Sequence, residues 1–381
     1  MQPLDDLTVI DLSLTLPGPY ATSVLEQLGA DVLSVEPPGG DPVRHWTPAR
    51  PDGRSEVFAM LQEGKETVSV DLKADRGREL LVDIAAEADI LVEGFRPGVV
   101  DDLGVGPERL RERNPDLVYC SLSGFGQTGP RADQPGHSLN YEGLAGLLDP
   151  DDPALPGYPV ADFAGAQLLV IAILAAIRKR DRGGSGQYID LGLYEALASW
   201  NTWNAPWALA DDEPDHQPLT GGEYPCYNTY ETADGRYLTL GVMEPSFWEM
   251  LCERIDRPDL VDAQFQTGGK DSDAYRELQD TFAQRPLSAW LDELGDDLPV
   301  GPVRSPAEAT RDPQLDARGH AVALDETTGE VARKFDLPVN IGEPTADSGS
   351  AETGVFERAG YDEATLSSLR EAGVLSDDLE S

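Results

Sequence analysis

Cysteine is scarce in this chain: Cys120, Cys226 and Cys252 are its three, widely spaced and without a Cys-x-x-Cys pair. A disulfide framework and a zinc site are therefore not indicated, and buried, inert thiols are expected. Lysine is nearly as rare, with five among 29 basic residues set against 70 acidic ones, for a formal net charge of −41. So acidic a chain excludes nucleic acid as a ligand, because phosphate backbones are gripped by clustered Lys and Arg. Long apolar runs are missing as well. The longest, Leu168 to Ile177, falls short of the roughly 20 residues that a membrane span needs. The start, Met1-Gln2-Pro3-Leu4-Asp5-Asp6, has no basic region followed by an apolar one, so no signal peptide is expected and a cytoplasmic location is.

What is present suffices for packed structure: 381 residues, 40% apolar and 26% charged, predict more than one typical core and hence two lobes. The charge balance predicts a salt-adapted surface, the alternative being a solubilising acidic face in an ordinary cytoplasm. At molar salt the Debye length falls to about 3 Å and self-repulsion is largely screened. Excess carboxylate with Arg preferred over Lys also resembles the proteins of extreme halophiles.

The first half alternates strand-like and helical patterns: Leu7–Leu12, a Gly18–Leu28 helix, Asp31–Glu36, Thr67–Leu72, a helix through Glu79–Ala88, Ile90–Glu93 and Leu117–Leu122. That order predicts βαβ units on a mostly parallel sheet, with ligands beyond the carboxyl ends of the strands. After the first strand the chain reads Asp-Leu-Ser-Leu-Thr-Leu-Pro-Gly-Pro, with no Gly-x-Gly-x-x-Gly, which removes the main support for a nicotinamide cofactor. Phe163–Arg180 predicts a strongly apolar helix buried against the sheet and closed by Arg178-Lys179-Arg180. A second lobe is expected from about Gly221-Gly222, with a hairpin over Tyr227–Thr232 and Arg236–Val242. Glu343–Gly354 reads as a linker and Gly360–Leu375 as an amphipathic helix.

Several residues carry candidate chemistry. Asp162, in Val160-Ala161-Asp162-Phe163, reads either as the N-cap of the apolar helix or as a carboxylate held ready to take a proton or attack a carbonyl. His137, in Gly136-His137-Ser138-Leu139-Asn140-Tyr141, suits general acid–base work or is an exposed loop histidine. Glu244 stands before Pro245, a helix-starting position, and reads as a cap or a solvated charge as readily as a functional group. Lys65, Lys73 and Arg96 lie next to predicted strands; Lys73 and Arg96, near the ends of successive strands, can meet phosphates together or form ordinary ion pairs. Trp200, Trp203 and Trp207 offer apolar surface for an acyl chain or a dimer, although aromatics at helical spacing usually belong to a core.

Leu28-Gly29-Ala30-Asp31-Val32, Val70-Asp71-Leu72-Lys73, Phe95-Arg96-Pro97-Gly98, Ser123-Gly124-Phe125-Gly126-Gln127-Thr128-Gly129-Pro130, Ala161-Asp162 and Gly184-Ser185-Gly186-Gln187 together make the chain resemble the class III coenzyme A transferase (CaiB/BaiF) family over nearly its whole length. The resemblance implies an α/β fold: a Rossmann-like large domain over 1–200, completed by 325–381, a smaller α+β domain over 220–322, and an interlocked homodimer. It also implies coenzyme A as part of the substrate, no prosthetic group and no metal, with Val70, Leu72, Lys73, Glu93, Arg96 and Gly136 where coenzyme A is held. Pro37 and Asp102 stand where some relatives have arginine, and Gln62-Glu63 replaces a usual Asn-Arg/Lys pair.

In the transferases of the family the residue matching Asp162 attacks the thioester and forms a mixed anhydride, with no histidine required. In the α-methylacyl-CoA racemase branch a Gly-His-Asp-x-Asn-Tyr motif supplies a histidine facing that aspartate, and a glutamate of a Glu-Pro-x-Phe segment orients it. His137, Asn140, Tyr141, Asp162, Glu244, Pro245 and Phe247 match, and Ser138 replaces the motif's aspartate. The first expectation is therefore a racemase or epimerase of 2-methylacyl-CoA thioesters, with His137 and Asp162 on opposite faces of the α-carbon, Glu244 orienting His137, and N–H groups of the helix beside Asp162 holding the enolate oxygen. The alternative is a CoA transferase between carboxylic acids with Asp162 as nucleophile. A further alternative is a CoA-binding protein without catalysis.

Overall fold

A computed structural model describes residues 2–50, 53, 55–150, 153–209, 220–318, 321–323, 333–335 and 354–376. The chain divides into two compact units, Met1–Asn201 with Val322–Ser381, and Thr202–Ala321.

The first unit is built on β1 (Thr8–Asp11), α1 (Pro17–Gln27), β2 (Asp31–Glu36), β3 (Glu66–Val70), α2 (Asp75–Ala86), β4 (Ile90–Glu93), β5 (Val118–Ser123), α3 (Ser138–Leu144), α4 (Val160–Asp181) and β6 (Tyr188–Gly192). The strands align parallel in the order β3-β2-β1-β4-β5-β6, and Leu375–Ser376 adds a seventh, antiparallel strand against β3, with Leu375 opposite Val70. β1, β4 and β5 are buried at every position, as expected of parallel strands covered on both faces, and their Val/Ile/Leu content follows from that. The chain order reverses between β1 and β4, the kind of switch point beyond whose strand ends ligands of open α/β sheets bind.

Some boundaries differ from expectation. The helix expected from Glu79 begins at Asp75. Gly77 permits this, since a Cβ there would lie 2.1 Å from the Asp71 carbonyl oxygen. The Gly/Pro-flanked stretch holding His137 is the start of a helix, α3. α4 runs 22 residues, long and apolar enough by length and composition to cross a membrane, and half of its apolar window is buried inside the protein. It packs on α1 and contributes Ala164, Leu169, Ile173 and Ile177 to the core on that side of the sheet. The C-terminal helix is shorter than its amphipathic pattern, Glu363–Glu371, because Leu375 joins the sheet. The Glu343–Gly354 linker, apart from Gly354, lies outside the described residues.

The second unit holds an antiparallel sheet, β7 (Tyr227–Glu231), β8 (Tyr237–Gly241) and β9 (Val300–Pro302), with β8 in the middle. Its core joins Tyr230, Trp248, Phe282 and Trp290. All three cysteines are buried, Cys120 in the first unit and Cys226 and Cys252 in the second, and burial pushes each thiol up, which keeps it protonated and unreactive. Trp200 and Trp203 are about half exposed, so neither is a core residue.

Candidate active site

Asp162 is not the N-cap of its helix. Pro159 takes that place, and Asp162 is the third residue of α4. Proline has no side-chain acceptor, so the first N–H groups of α4 need partners from elsewhere. They come from α3. Val160 N–H donates to Glu142 Oε1 over 2.9 Å, Ala161 N–H donates to Ser138 Oγ over 3.0 Å, and the Ser138 hydroxyl donates to the same Glu142 oxygen over 2.7 Å. Ser138 and Glu142 are one helical turn apart, on one face of α3, and both are buried. A carboxylate at a helix N-terminus is favoured by the helix dipole.

This clamp sets the environment of Asp162. Burial, foremost, and the neighbouring Glu142 carboxylate push the Asp162 carboxyl up to about 6, while the charge of His137 pulls it back. His137 and Asp162 are thus brought together. His137 is the N-cap residue of α3, exposed, with its own N–H donating to Asn140 Oδ1 over 2.9 Å. Tyr141 joins them: burial and then the charge of Asp162 push its hydroxyl up. Its ring meets Phe125 edge-on, with the centroids 5.1 Å apart. Gly136 and Gly124 make room for it, since a Cβ would lie 2.7 Å and 2.2 Å from the Tyr141 ring and hydroxyl, respectively.

Of the N–H groups in the first turn beside Asp162, those of Val160 and Ala161 are bonded to Glu142 and Ser138. Sequence reasoning also missed Glu142 altogether. The Ser-x-x-x-Glu spacing ahead of an apolar helix was the available signal. Glu244 belongs to the second unit, where it is the exposed N-cap residue of the helix Pro245–Arg254 and makes no side-chain capping bond.

The other predicted residues lie beyond strand ends of the first unit. Val70 closes β3 and is buried; Leu72 and Lys73 follow it, Lys73 exposed. Glu93 closes β4, buried, accepting from Phe95 N–H over 2.7 Å, and its carboxyl is pushed up by burial against the lowering bonds from Ser121 and Phe95. Arg96 is exposed three residues further on. β3 and β4 are successive in the chain but stand three places apart in the sheet, about 14 Å at ordinary strand spacing, so Lys73 and Arg96 do not share a strand pair. Neither forms an ion pair with a described residue. The Lys65 side chain is fully buried against Asp11. Among the described residues no group of His, Cys, Asp and Glu is placed to hold a metal.

The model of CoA-transferase family III matches residues 4–351. The chain belongs to CoA-transferase family III. Within that family it is 35% identical to the succinyl-CoA:mesaconate CoA-transferase of Haloarcula hispanica over 86% of each chain, and 32% identical to the succinyl-CoA–D-citramalate CoA-transferase of Chloroflexus aurantiacus over 88% of this chain and 87% of that one. It is also 32% identical to human α-methylacyl-CoA racemase, over 85% of this chain and 83% of the relative. A CaiB/BaiF family protein of Brucella suis superposes with a TM-score of 0.80 at 29% identity, covering 95% of this chain and all of that one. The family III chain is accordingly an enzyme, a transferase or a racemase-like isomerase.

Proposed function

We propose that this enzyme is a CoA transferase that moves coenzyme A between two carboxylic acids, with Asp162 as the nucleophile. The observation that carries the reading is the Ser138–Glu142 clamp, which holds a partly desolvated Asp162 carboxylate on a fixed helix start. A carboxyl at about 6 is mostly ionised at neutral pH, and its raised basicity makes it a better nucleophile than an ordinary aspartate.

The exchange balances in four acyl transfers. An Asp162 oxygen attacks the donor thioester carbonyl, the C–S bond breaks, and CoA thiolate leaves a mixed anhydride behind. The thiolate attacks the aspartyl carbonyl of the anhydride, releasing the donor acid as carboxylate and leaving an aspartyl thioester. An acceptor carboxylate then displaces the thiolate to form a second anhydride. Attack of the thiolate on its acceptor carbonyl gives the new acyl-CoA and restores Asp162. No proton need be abstracted from carbon, and no redox partner is involved. Val70, Leu72, Lys73, Glu93, Arg96 and Gly136 are assigned to holding coenzyme A beyond the strand ends. An interlocked homodimer belongs to the same reading, supported by Ile171, 62% exposed on the apolar helix α4.

The racemase reading stands second. The charge of His137 reaching Asp162 favours it, as does the likeness to the human racemase; there His137 and Asp162 would exchange the α-proton and Glu244 would orient His137. Incubation at high salt with succinyl-CoA and a panel of dicarboxylate acceptors, and separately with a 2-methylacyl-CoA in deuterated water, separates the two. Transfer that survives His137→Ala and is lost in Asp162→Ala, with hydroxylamine trapping an Asp162 acyl intermediate, is expected. Deuterium at the α-carbon, abolished by either substitution and without transfer, would sink the transferase. Binding of CoA with neither activity would leave only a binding protein.

A further inference from the structure

Lys65 and Asp11 are both fully buried, in a chain with five lysines. The Lys65 ammonium donates to the Pro19 carbonyl and to Thr22 Oγ1, 2.8 Å each, and lies 3.5 Å from Asp11 Oδ2. Asp11 in turn accepts from the Ser13 N–H over 2.9 Å and from the Ser13 and Thr22 hydroxyls. The cluster therefore ties the carboxyl end of β1, the connection after it and the first turns of α1 to one cation. That connection is under local strain: Thr15 is left-handed with φ 69°, its N–H held by Asp41 Oδ2 at 2.8 Å. α1 starts without a capping side chain, at Pro17 behind Leu16, so the cluster supplies anchorage that its own sequence does not. Pro19 is followed by Tyr20, whose ring meets Phe163 edge-on at 5.0 Å, and Phe163 follows Asp162.

We propose that Lys65 is a positioning residue: it fixes the first turns of α1, seats Tyr20 against Phe163, and through that contact holds the side of α4 from which Asp162 reacts. This rests on the reading that Asp162 is the reacting carboxylate. The charges facing Lys65 are Asp11 from β1, Glu26 from α1 and Asp41 from the segment after β2. Burial pulls the Lys65 ammonium down to about 8 against the opposing pull of Asp11, so the anchor loses its proton as pH rises through that value.

The test compares wild type, Thr22→Val, Lys65→Gln/Asp11→Asn and Asp162→Ala, all full-length at high salt, by transfer kinetics from pH 6 to 10 with succinyl-CoA as donor. The double variant removes both buried charges together, so that neither is left unpaired. Expected are a tenfold or greater fall in kcat, a KM for the thioester within twofold, slower trapping of the Asp162 acyl intermediate, and loss of the alkaline limb that wild type shows near pH 8. Thr22→Val should lower kcat by severalfold in the same pattern. A folded double variant with wild-type kcat and an unchanged alkaline limb overturns the proposal. Should that variant not fold, a wild-type profile flat above pH 7.5 together with an unaltered Thr22→Val overturns it. If Asp162→Ala remains active, the nucleophile assignment fails; if Asp162→Ala is dead while the Lys65 variants are unaffected, only the positioning role fails.

Discussion

The Ser138 hydroxyl sits between two helices, donating to Glu142 on its own helix over 2.7 Å while accepting from the Ala161 N–H at the start of the next over 3.0 Å. One side chain thereby fixes the helix start that presents Asp162. Ser138→Ala strands the Ala161 N–H and takes a partner from a buried carboxylate. We expect a loss of about 1–3 kcal/mol of stability and a kcat reduced more than KM, measured by urea unfolding and steady-state kinetics.

The position of Asp162 makes activity depend on pH from the acid side. Its carboxyl, pushed up to about 6 by burial and by Glu142, must be ionised to attack, so kcat/KM is expected to rise through that pH. Glu142→Gln removes the raising charge and should move the limb to lower pH in whatever activity remains. An unmoved limb would show that Glu142 does not tune Asp162.

The same shift has a thermodynamic sign. Asp162 titrates higher in the folded chain than at its ordinary 3.8, so the folded state binds more protons than the unfolded one between about pH 4 and 6. Stability contributed by this group is therefore present at low pH and lost as pH rises through that window. Asp162→Asn is expected to abolish transfer and to stabilise the protein at pH 7 by about 1 kcal/mol, after allowing for solvent screening of a partly buried group. Equal unfolding midpoints for both proteins from pH 4 to 8 would contradict this.

Lys73 and Arg96 are exposed cations, without ion pairs to described residues, in a chain of net charge −41. Lys73→Ala and Arg96→Ala should each raise KM for the CoA thioester several-fold with little change in kcat, and the effects should add, since the two stand beyond strands that are not neighbours. A change confined to kcat would remove them from the CoA grip.

The surface charge predicts salt-dependent stability. Raising KCl from 0.1 to 2 M shrinks the Debye length from about 10 Å to below about 3 Å, and the thermal unfolding midpoint should climb with it. A midpoint independent of salt would end the salt-adapted reading.

Asp31–Glu36 and Ile90–Glu93 were legible to the residue, because strands buried on both faces write their apolar runs directly into the sequence. Asp162 was legible as a residue type before an apolar helix, and its resemblance to the family singled it out. Its setting was not. The cap of α4 comes from residues 138 and 142, and the partner of Lys65 from residue 11. These are pairings across folded space that no local period records.

By itself, then, the sequence determined the alternation of strands and helices, the acidic surface and the family, all of which follow from hydrophobic period, charge count and short motifs. Only the tertiary structure decided that β3 and β4 are not neighbours, that Lys65 is buried against Asp11, and that Asp162 stands inside its helix with the two N–H groups before it already bonded. The physical reason is that strand order, burial and hydrogen-bond partners depend on which distant segments pack together, and each buried polar group must find its partner there.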